Sequence, residues 1–189
     1  MRSHRLKLGK SPAVNAAADS LPFDDKSFDA STAFITVHHW PDLKKGLKEL
    51  KRVTRNQIII LTFDPDALHG FWNAEYFPEL IEIEKRRYPK ISKIVNLLGE
   101  NVKVNSIPIP FDCKDGFQEA FFGRPEMFLK KEVRDSQSAW SFLPKNLEKI
   151  YVKKLSDDLK SGEWDKKFGK YRTIKSFTCA LRLIVLKLN

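Results

Sequence analysis

The sequence has 189 residues, of which 42% are hydrophobic and 31% are charged. This length and balance fit one folded domain with a sizeable core, and they exclude a disordered or low-complexity chain. Lysine and arginine outnumber aspartate and glutamate by 34 to 24, which gives a formal net charge of +10. Because the basic residues are scattered along the chain, this charge is weak evidence for a nucleic-acid partner, and we predict none.

The sequence also bears on the cellular compartment. No apolar run approaches the length of a membrane span, and the first residues lack the apolar core of a signal peptide. Cys113 and Cys179 lie far apart, without the spacing of metal ligands or of a disulfide framework. Such cysteines are typical of a reducing compartment. We therefore predict a cytoplasmic protein with no membrane contact and no metal site.

The first predicted elements are the end of a helix and two strands. Residues 1–10 predict the end of a basic helix, which glycine, serine and proline residues would stop. Residues 14–17 are small and too few for a helix, so they predict a buried strand with Asp19 just past its carboxyl end. Residues 30–37 form a second apolar run, followed by two histidines and a tryptophan. Since ligands of open α/β sheets bind outside the carboxyl ends of strands, we predict that the carboxyl ends of both strands face one site.

A helix and a strand follow. Pro41-Asp42 can start a helix in which apolar residues recur on one face, namely Leu43, Leu47, Leu50 and Val53. Glu49 and Arg52 have the spacing of an intrahelical ion pair. Residues 57–63 are a continuous apolar run, typical of a strand buried on both faces. We expect this helix to pack on the sheet and to carry no chemistry.

The next region is aromatic, with Phe71, Trp72, Tyr76 and Phe77 close together in the sequence. These rings could line a small-molecule pocket or contact a cation, or they could form the core of a helical cap. Residues 80–87 and 91–98 predict two helices, the second of which is ended by a glycine. Residues 102–107 predict a strand, and residues 179–188 predict a closing strand that is inserted antiparallel.

Together these elements predict a Rossmann-like α/β sheet with helices on both faces and a helical insert before the last strand. We treat residues 1–189 as one domain. Residues 66–100 and 111–176 are predicted to be helical cap or insert segments within it.

Three patterns resemble a known family. From residue 18 the chain reads Ala-Asp-Ser-Leu-Pro-Phe, an acidic turn, Ser-Phe-Asp, an apolar run and His-His-Trp-Pro-Asp. This stretch resembles the middle of a class I S-adenosylmethionine-dependent methyltransferase. Pro-Ile-Pro-Phe-Asp-Cys from residue 108 and Asp-Leu-x-x-Gly-x-Trp-Asp from residue 158 resemble a bacterial, methyltransferase-11-like subgroup with small-molecule substrates. The plainer alternative is that Asp19 caps a turn and that the acidic turn is a solvated loop tip.

The resemblance implies a cofactor and a sheet order. The cofactor is S-adenosylmethionine, and the order of the strands is 3-2-1-4-5-7-6. In this family the loop after the third strand lies along the adenine, and the loop after the fourth strand passes under the methionine part. Carried over to this sequence, these loops give the candidate cofactor-binding residues Asp19, Ser20, Leu21, Ala33 and Phe34.

Other side chains are candidates for catalysis or substrate binding. His39 and His38 are candidate general bases, because imidazole titrates near neutral pH. The alternative is structural, with one imidazole hydrogen-bonded to a loop carbonyl. Trp40, Trp72 and Tyr76 are candidate substrate contacts.

The sequence departs from the family pattern in one respect. In the family a glycine-rich loop and an acidic residue that binds the ribose precede this point, yet no Gly-x-Gly-x-Gly occurs in these 189 residues. We therefore expect an amino-terminally incomplete methyltransferase. The strand at residues 30–37 would then expose an unpaired edge, and we expect self-association through it.

The function predicted for the intact protein is methyl transfer from S-adenosylmethionine to a small-molecule acceptor. The alternative is a non-catalytic, methyltransferase-like remnant or interaction module that binds the cofactor weakly or not at all.

Overall fold

The computed structural model describes residues 13–188, so the helix predicted at residues 1–10 lies outside the described residues. The strands are β1 Phe28–Phe34, β2 Thr54–Phe63, β3 Val102–Ser106, β4 Ile109–Pro110, β5 Ser176–Phe177 and β6 Leu181–Lys187. The α-helices are α1 Leu43–Val53, α2 Asn73–Tyr76, α3 Pro78–Arg87, α4 Ile91–Leu98, α5 Lys131–Asp135, α6 Lys145–Ser161 and α7 Glu163–Phe168. Within the described part of the chain, no helix is both long enough and apolar enough to cross a membrane.

The main sheet has four strands in the order β1-β2-β6-β3. β1 is parallel to β2, and β6 lies antiparallel between β2 and β3. This order equals the last four positions of the order implied by the resemblance, so the antiparallel closing strand is confirmed. In residues 13–188, β1 pairs with β2 alone, and its other edge faces no strand. The helical insert before the last strand is also confirmed, because α5, α6 and α7 precede β6.

The strand predicted at residues 14–17 is wrong. These residues form no strand, and the backbone there makes only an isolated bridge between Ala17 and Ser20. Val14 is 60% exposed. A strand needs a neighbour that takes up its amide and carbonyl groups, and no other described strand lies beside this segment.

The strand predicted at residues 30–37 is present, but it begins and ends earlier, at Phe28–Phe34. It stops where Ile35 adopts a left-handed backbone with a φ of 47°. A short 3-10 turn, Val37–His39, then replaces the last predicted strand residues. An extended ladder cannot continue through such a backbone angle.

One core lies between the sheet and two helices. The predicted face of α1 is buried at Leu47, Leu50 and Val53, and the side chain of Asp42 caps the helix by accepting from the amide of Lys45 at 3.0 Å. α4 joins the same core through Ile94 and Leu98, which pack with strand residues that include Ile58, Ile60 and Ile184. The predicted helix is therefore confirmed. The predicted strand is present as β2, but it is buried on one face and half-buried on the other, where Ile59 and Leu61 lie.

A second core lies in the cap, which we define as the segments between β2 and α4 and between β4 and β5. It is built from aromatic rings: Phe71, Trp72, Phe77, Phe122, Phe128, Trp140 and Trp164 are all at most 4% exposed. The Asp-Leu-x-x-Gly-x-Trp-Asp pattern has a packing role here. Asp158 accepts from the hydroxyl of Tyr76 at 2.7 Å, Gly162 turns the chain with a φ of 80°, and the ring of Trp164 meets that of Trp72 edge to face.

Candidate functional site

A cavity of about 350 Å³ lies between the sheet and the cap. Its sheet side is formed by residues at the carboxyl ends of two parallel strands: Ile35, His38 and His39 follow β1, and Phe63 ends β2. Its cap side is lined by Leu68, Phe71, Asn73, Ile81, Glu84, Tyr88, Asp115, Gly116, Phe117, Gln118, Glu119, Ser136, Gln137 and Ser138. The position agrees with the rule that ligands bind at the carboxyl edge of such sheets.

The residue that connects β1 to the cavity wall has a strained backbone. Ile35 has a positive φ although its side chain is β-branched, a conformation that costs about 1–3 kcal/mol. It is held in place because its amide donates to the carbonyl of Leu61 on β2 at 2.7 Å. The turn brings His38 and His39 to the cavity wall rather than onto the sheet face.

His38 is half-buried and packed between two rings. Its ring centroid lies 3.9 Å from that of His39 and 4.2 Å from that of Tyr88. Burial, together with the smaller effects of the neighbouring His39 and Arg87, lowers the pKa of His38 to about 4. The imidazole is therefore neutral at pH 7, and it is a weak base. His39 is more exposed than His38 and lines the same cavity.

Two buried carboxyl groups face the cavity from the cap. Glu84 lies on α3, where burial raises its pKa, and it accepts from Gln118 and Arg87 at 3.3 Å each. Glu119 is 3% exposed, and one of its oxygens accepts from the amide of Ala180 at 3.0 Å. Burial raises the pKa of Glu119 to about 7, against the opposing effect of that hydrogen bond.

Several polar atoms around the cavity are buried without a hydrogen-bond partner in the described part of the chain. They are His38 Nδ1, Asn73 Oδ1, Glu119 Oε2 and Gln137 Nε2. A buried polar group left without a partner costs about 1–3 kcal/mol. Such a concentration around one cavity indicates a site that takes a polar ligand or ordered water.

Comparisons with known proteins agree with this geometry. A sequence profile described as "Methyltransferase domain" matches residues 1–61. A crystal structure from Anabaena variabilis, assigned to a methyltransferase of an antibiotic biosynthesis pathway, superposes with a TM-score of 0.86 at 32% sequence identity. The superposition covers 93% of this chain and 72% of that one. This chain belongs to the class I S-adenosylmethionine-dependent methyltransferases. Its fold is the Rossmann-like fold of that family.

Curated relatives match this chain over shorter stretches. A ubiquinone/menaquinone biosynthesis C-methyltransferase from Citrifermentans bemidjiense is 39% identical over 64 residues, which are 33% of this chain and 27% of that protein. A demethylmenaquinone methyltransferase from Corynebacterium urealyticum is 31% identical over 87 residues, which are 45% of this chain and 36% of that protein. The chain thus spans between a quarter and two-fifths of these relatives' lengths.

The structure places the candidate cofactor residues of this chain around one core in part. Leu21 packs against the hydrophobic cluster that also contains Ala33. The loop at residues 19–21 is fixed to α1, because the amide of Leu21 donates to Glu49 at 2.9 Å and its carbonyl accepts from Arg52 at 3.0 Å. Asp19 and Ser20 lie in the turn that the Ala17 bridge closes.

The candidate substrate contacts do not line the cavity. Trp40 packs on α1, where a Cβ at Gly46 would come within 2.4 Å of its indole ring. Trp72 is in the cap core and donates to the carbonyl of Phe122 at 2.7 Å, and Tyr76 lies beside it. This placement favours the alternative that the aromatic residues form the core of a cap. Of that aromatic group, Phe71 lines the cavity.

The sequence analysis missed the polar residues of the cap. Glu84 carried a signal, because it occupies the apolar stripe of α3 with Leu80, Ile81 and Tyr88 at helical spacing. A carboxyl group in such a stripe is either paired or functional. Glu119 and Gln137 carried none, since they lie in or next to short 3-10 turns that have no periodic pattern.

Proposed function

We propose that the protein containing this chain transfers a methyl group from S-adenosylmethionine to a small-molecule acceptor bound in the cavity. The observation that carries the proposal is the position of the cavity, at the carboxyl ends of β1 and β2 and beside His38 and His39. Methyltransferase family membership supplies the reaction class. The cavity volume of about 350 Å³ is ordinary for a small-molecule site.

The residues of this chain fit one side of the cofactor. Leu21 and Ala33 belong to one hydrophobic cluster, and the ring of Phe34, which follows Ala33 in the sequence, is 56% exposed. An exposed ring can pack against the flat face of adenine, and Asp19 can accept from its amino group. Bound S-adenosylmethionine would supply a methyl group that its sulfonium already activates.

The acceleration expected from this chain comes mainly from positioning. The cavity walls would hold the acceptor in line with the methyl group, so few catalytic side chains are required. If a hydroxyl acceptor must lose its proton, we assign the base to His39, because the lowered pKa of His38 makes that imidazole a weak base. His38 would then keep the ring of His39 in place through their contact at 3.9 Å.

A methyl-transfer assay on the full-length protein tests this assignment. Its acceptor panel should include demethylmenaquinone, for which one curated relative is named. We expect His39→Ala to lower kcat by about 10²- to 10⁴-fold, the usual contribution of a general base, and His38→Ala to have a smaller effect. His69→Ala is the matched control, because His69 is equally a surface imidazole but pairs with Glu82 at 3.1 Å away from the cavity. If neither cavity histidine affects turnover, the base assignment is wrong.

A second candidate function applies to the 189 residues by themselves, namely a methyltransferase-like module that binds the cofactor weakly or not at all. The observation that favours it is that these residues contain no Gly-x-Gly-x-Gly. Lacking a carboxylate for the two ribose hydroxyls would by itself cost about 3–6 kcal/mol, or about 10²- to 10⁴-fold in affinity. Calorimetric titration of this chain with S-adenosylhomocysteine separates the two functions. Micromolar binding would exclude the weak-binding module.

A further inference from the structure

A chain of hydrogen bonds identifies the unpaired atom of Asn73 at the cavity as an acceptor. The carboxyl oxygen of Glu84 accepts from Gln118 Nε2 at 3.3 Å. The amide oxygen of Gln118 then accepts from Asn73 Nδ2 at 2.9 Å. With both amides oriented in this way, Asn73 leaves its Oδ1 buried and without a described partner. Asn73 lines the cavity, so this unpaired acceptor belongs to a residue of the cavity wall.

Glu119 presents a second acceptor. Its Oε1 is satisfied by the amide of Ala180, and its Oε2 is buried with no partner among the described residues. The thiol of Cys179 lies close enough to this carboxyl group to lower its pKa, while its hydrogen bond of good geometry goes to the carbonyl of Ala67 at 3.3 Å. Glu119 is more than nine-tenths buried and lines the cavity, so this oxygen lies in or just behind the cavity wall.

The charge of the cavity wall also favours a ligand that donates hydrogen bonds and carries a positive charge. Its lining includes the carboxyl groups of Glu84, Glu119 and Asp115, whereas no lysine or arginine lines it. The rings of Phe63, Phe71 and Tyr88 complete the wall. Carboxylates and aromatic faces together stabilise a cation. Among the described residues, the wall offers an anion the unpaired donor of Gln137 but no counter-charge from lysine or arginine.

We propose that the cavity recognises its small molecule through a protonated amine, held by Asn73 and Glu119, and that it rejects molecules of the same size that carry a carboxylate. The amine is the recognition group, and the methyl-accepting atom can lie elsewhere on the molecule. The inference deepens the proposed function and rests on it only in taking the cavity as the acceptor site. An ammonium group supplies the donors that the two buried oxygens lack, and it brings the opposite charge to Glu119.

The test uses three probes that differ in one group: 2-phenylethylamine, 2-phenylethanol and phenylacetate. Dissociation constants are measured by calorimetry and ligand-observed NMR on the full-length protein without cofactor, at fixed pH and ionic strength. We expect the amine to bind at least about tenfold more tightly than phenylacetate, and more tightly than the alcohol, because only the amine satisfies both oxygens with charge-assisted bonds.

Two variants should move amine binding in opposite directions. Glu119→Gln keeps the oxygen that accepts from Ala180 but replaces the free acceptor by a donor, so amine affinity should fall about tenfold while alcohol affinity changes little. Gln137→Glu keeps an oxygen for the indole of Trp140 and adds a carboxylate to the wall, so amine affinity should rise. Glu82→Gln, on the exposed side of α3, is the matched control and should leave all three constants unchanged.

Several results would overturn the inference: equal binding of amine and phenylacetate, equal binding of amine and alcohol, or no binding of any probe up to about 10 mM. If Glu119→Gln does not fold, the gain expected from Gln137→Glu still decides. Because binding is measured without turnover, a failed methyl-transfer assay with the expected probe order would reject the proposed function and leave the recognition inference standing. Methyl transfer to an anionic acceptor would support the proposed function and reject the recognition inference.

Discussion

Glu119 shows how burial at a single residue shapes both the site and the stability of the fold. Its carboxyl group is buried beside the cavity with one oxygen unpaired in the described part of the chain, and its pKa is raised from 4.5 to about 7. Cys179, Tyr88 and Arg182 are titratable or charged groups close to it, and Arg182 is itself paired with Asp64 at 3.2 Å. The ionised carboxylate is therefore poorly compensated in the folded chain without a ligand.

This raised pKa predicts a pH-dependent loss of stability. Between about pH 4.5 and pH 7 the unfolded chain has released the proton of Glu119 and the folded chain still holds it, so the free energy of unfolding falls as pH rises. The whole effect is on the order of 3 kcal/mol. Glu119→Gln has no proton to release, and it should gain stability relative to wild type across this range. Urea unfolding of both proteins at several pH values measures the difference.

The neighbouring titration of His38 has the opposite sign and does not confuse this result. The lowered pKa of His38 makes the unfolded chain bind more protons between about pH 4 and pH 6.5, so its contribution to stability rises with pH. Both proteins contain His38, and its contribution cancels in their difference. A stability difference that does not vary with pH would contradict the prediction for Glu119.

At the scale of elements, what the sequence predicted depended on how local the pattern was. α1 and β2 were predictable because the apolar residues of each follow a pattern that is visible within the element. In α1 they recur with a period of 3.6 residues, and in β2 they form an unbroken apolar run. The strand at residues 14–17 failed because a strand exists only beside a neighbour. The cavity was predictable on its sheet side only, because the histidines follow β1 directly. Glu119 lies in a 3-10 turn that is distant from β1 in the sequence, and no local pattern connects the two.

The loop at residues 19–25 is ordered by one guanidinium. Arg52 donates to the carbonyls of Leu21 and Phe23, to Asp25, and to Glu49, which in turn accepts from the amide of Leu21. The hydrogen bond from Arg52 lowers the pKa of Glu49 to about 2, so this carboxylate stays ionised under ordinary conditions. The loop should therefore depend on a single side chain for its conformation.

We predict that Arg52→Ala loosens this loop while the sheet stays intact. Hydrogen–deuterium exchange should become faster at residues 20–26, whereas the amides of β2 keep their protection. Arg55→Ala is the matched control, since Arg55 forms a single exposed pair with Asp29 at 2.9 Å and does not contact the loop. Equal exchange of the loop in the two variants would show that Arg52 does not order it.

β1 has one unpaired edge in the described part of the chain. In residues 13–188 one edge of β1 faces no strand, and Phe28 and Phe34 on it are 39% and 56% exposed. Unpaired amide and carbonyl groups beside exposed apolar rings favour pairing with another chain. We propose that the 189-residue chain, prepared by itself, self-associates through this edge.

The proposal predicts that Thr32→Pro suppresses association, because proline removes an amide from β1. Light scattering during size-exclusion chromatography, at several concentrations, should give a mass that rises with concentration for the wild-type chain and stays monomeric for this variant. Thr32→Val keeps the amide and serves as the control, which should associate as the wild type does. Circular dichroism checks that the proline variant is folded. A monomeric wild-type chain at high concentration would reject the proposal.

At the scale of the whole molecule, two cores share two strands. Phe63 of β2 and Leu181 of β6 belong to the aromatic core of the cap, whereas Ile60 and Ile184 of the same strands belong to the core under α1 and α4. Phe63 and Leu181 are also paired in the ladder. The cap therefore cannot lose its packing without exposing the ends of the two central strands, which couples the two cores.

This coupling predicts a single unfolding transition for the cap and the sheet. Three of the four tryptophans, Trp72, Trp140 and Trp164, lie in the cap core, and Trp40 packs against the other core. In a Trp40→Phe variant, fluorescence therefore reports on the cap alone, while far-ultraviolet circular dichroism reports on all helices and strands. Urea curves from the two probes, recorded at low protein concentration to limit self-association, should share one midpoint and one slope.

Leu181→Ala removes a side chain that is 5% exposed where the cores meet, and it should lower the free energy of unfolding reported by both probes by about 2–5 kcal/mol. If fluorescence changes at a lower urea concentration than circular dichroism, the cap unfolds as an independent unit and the shared strands do not couple the cores.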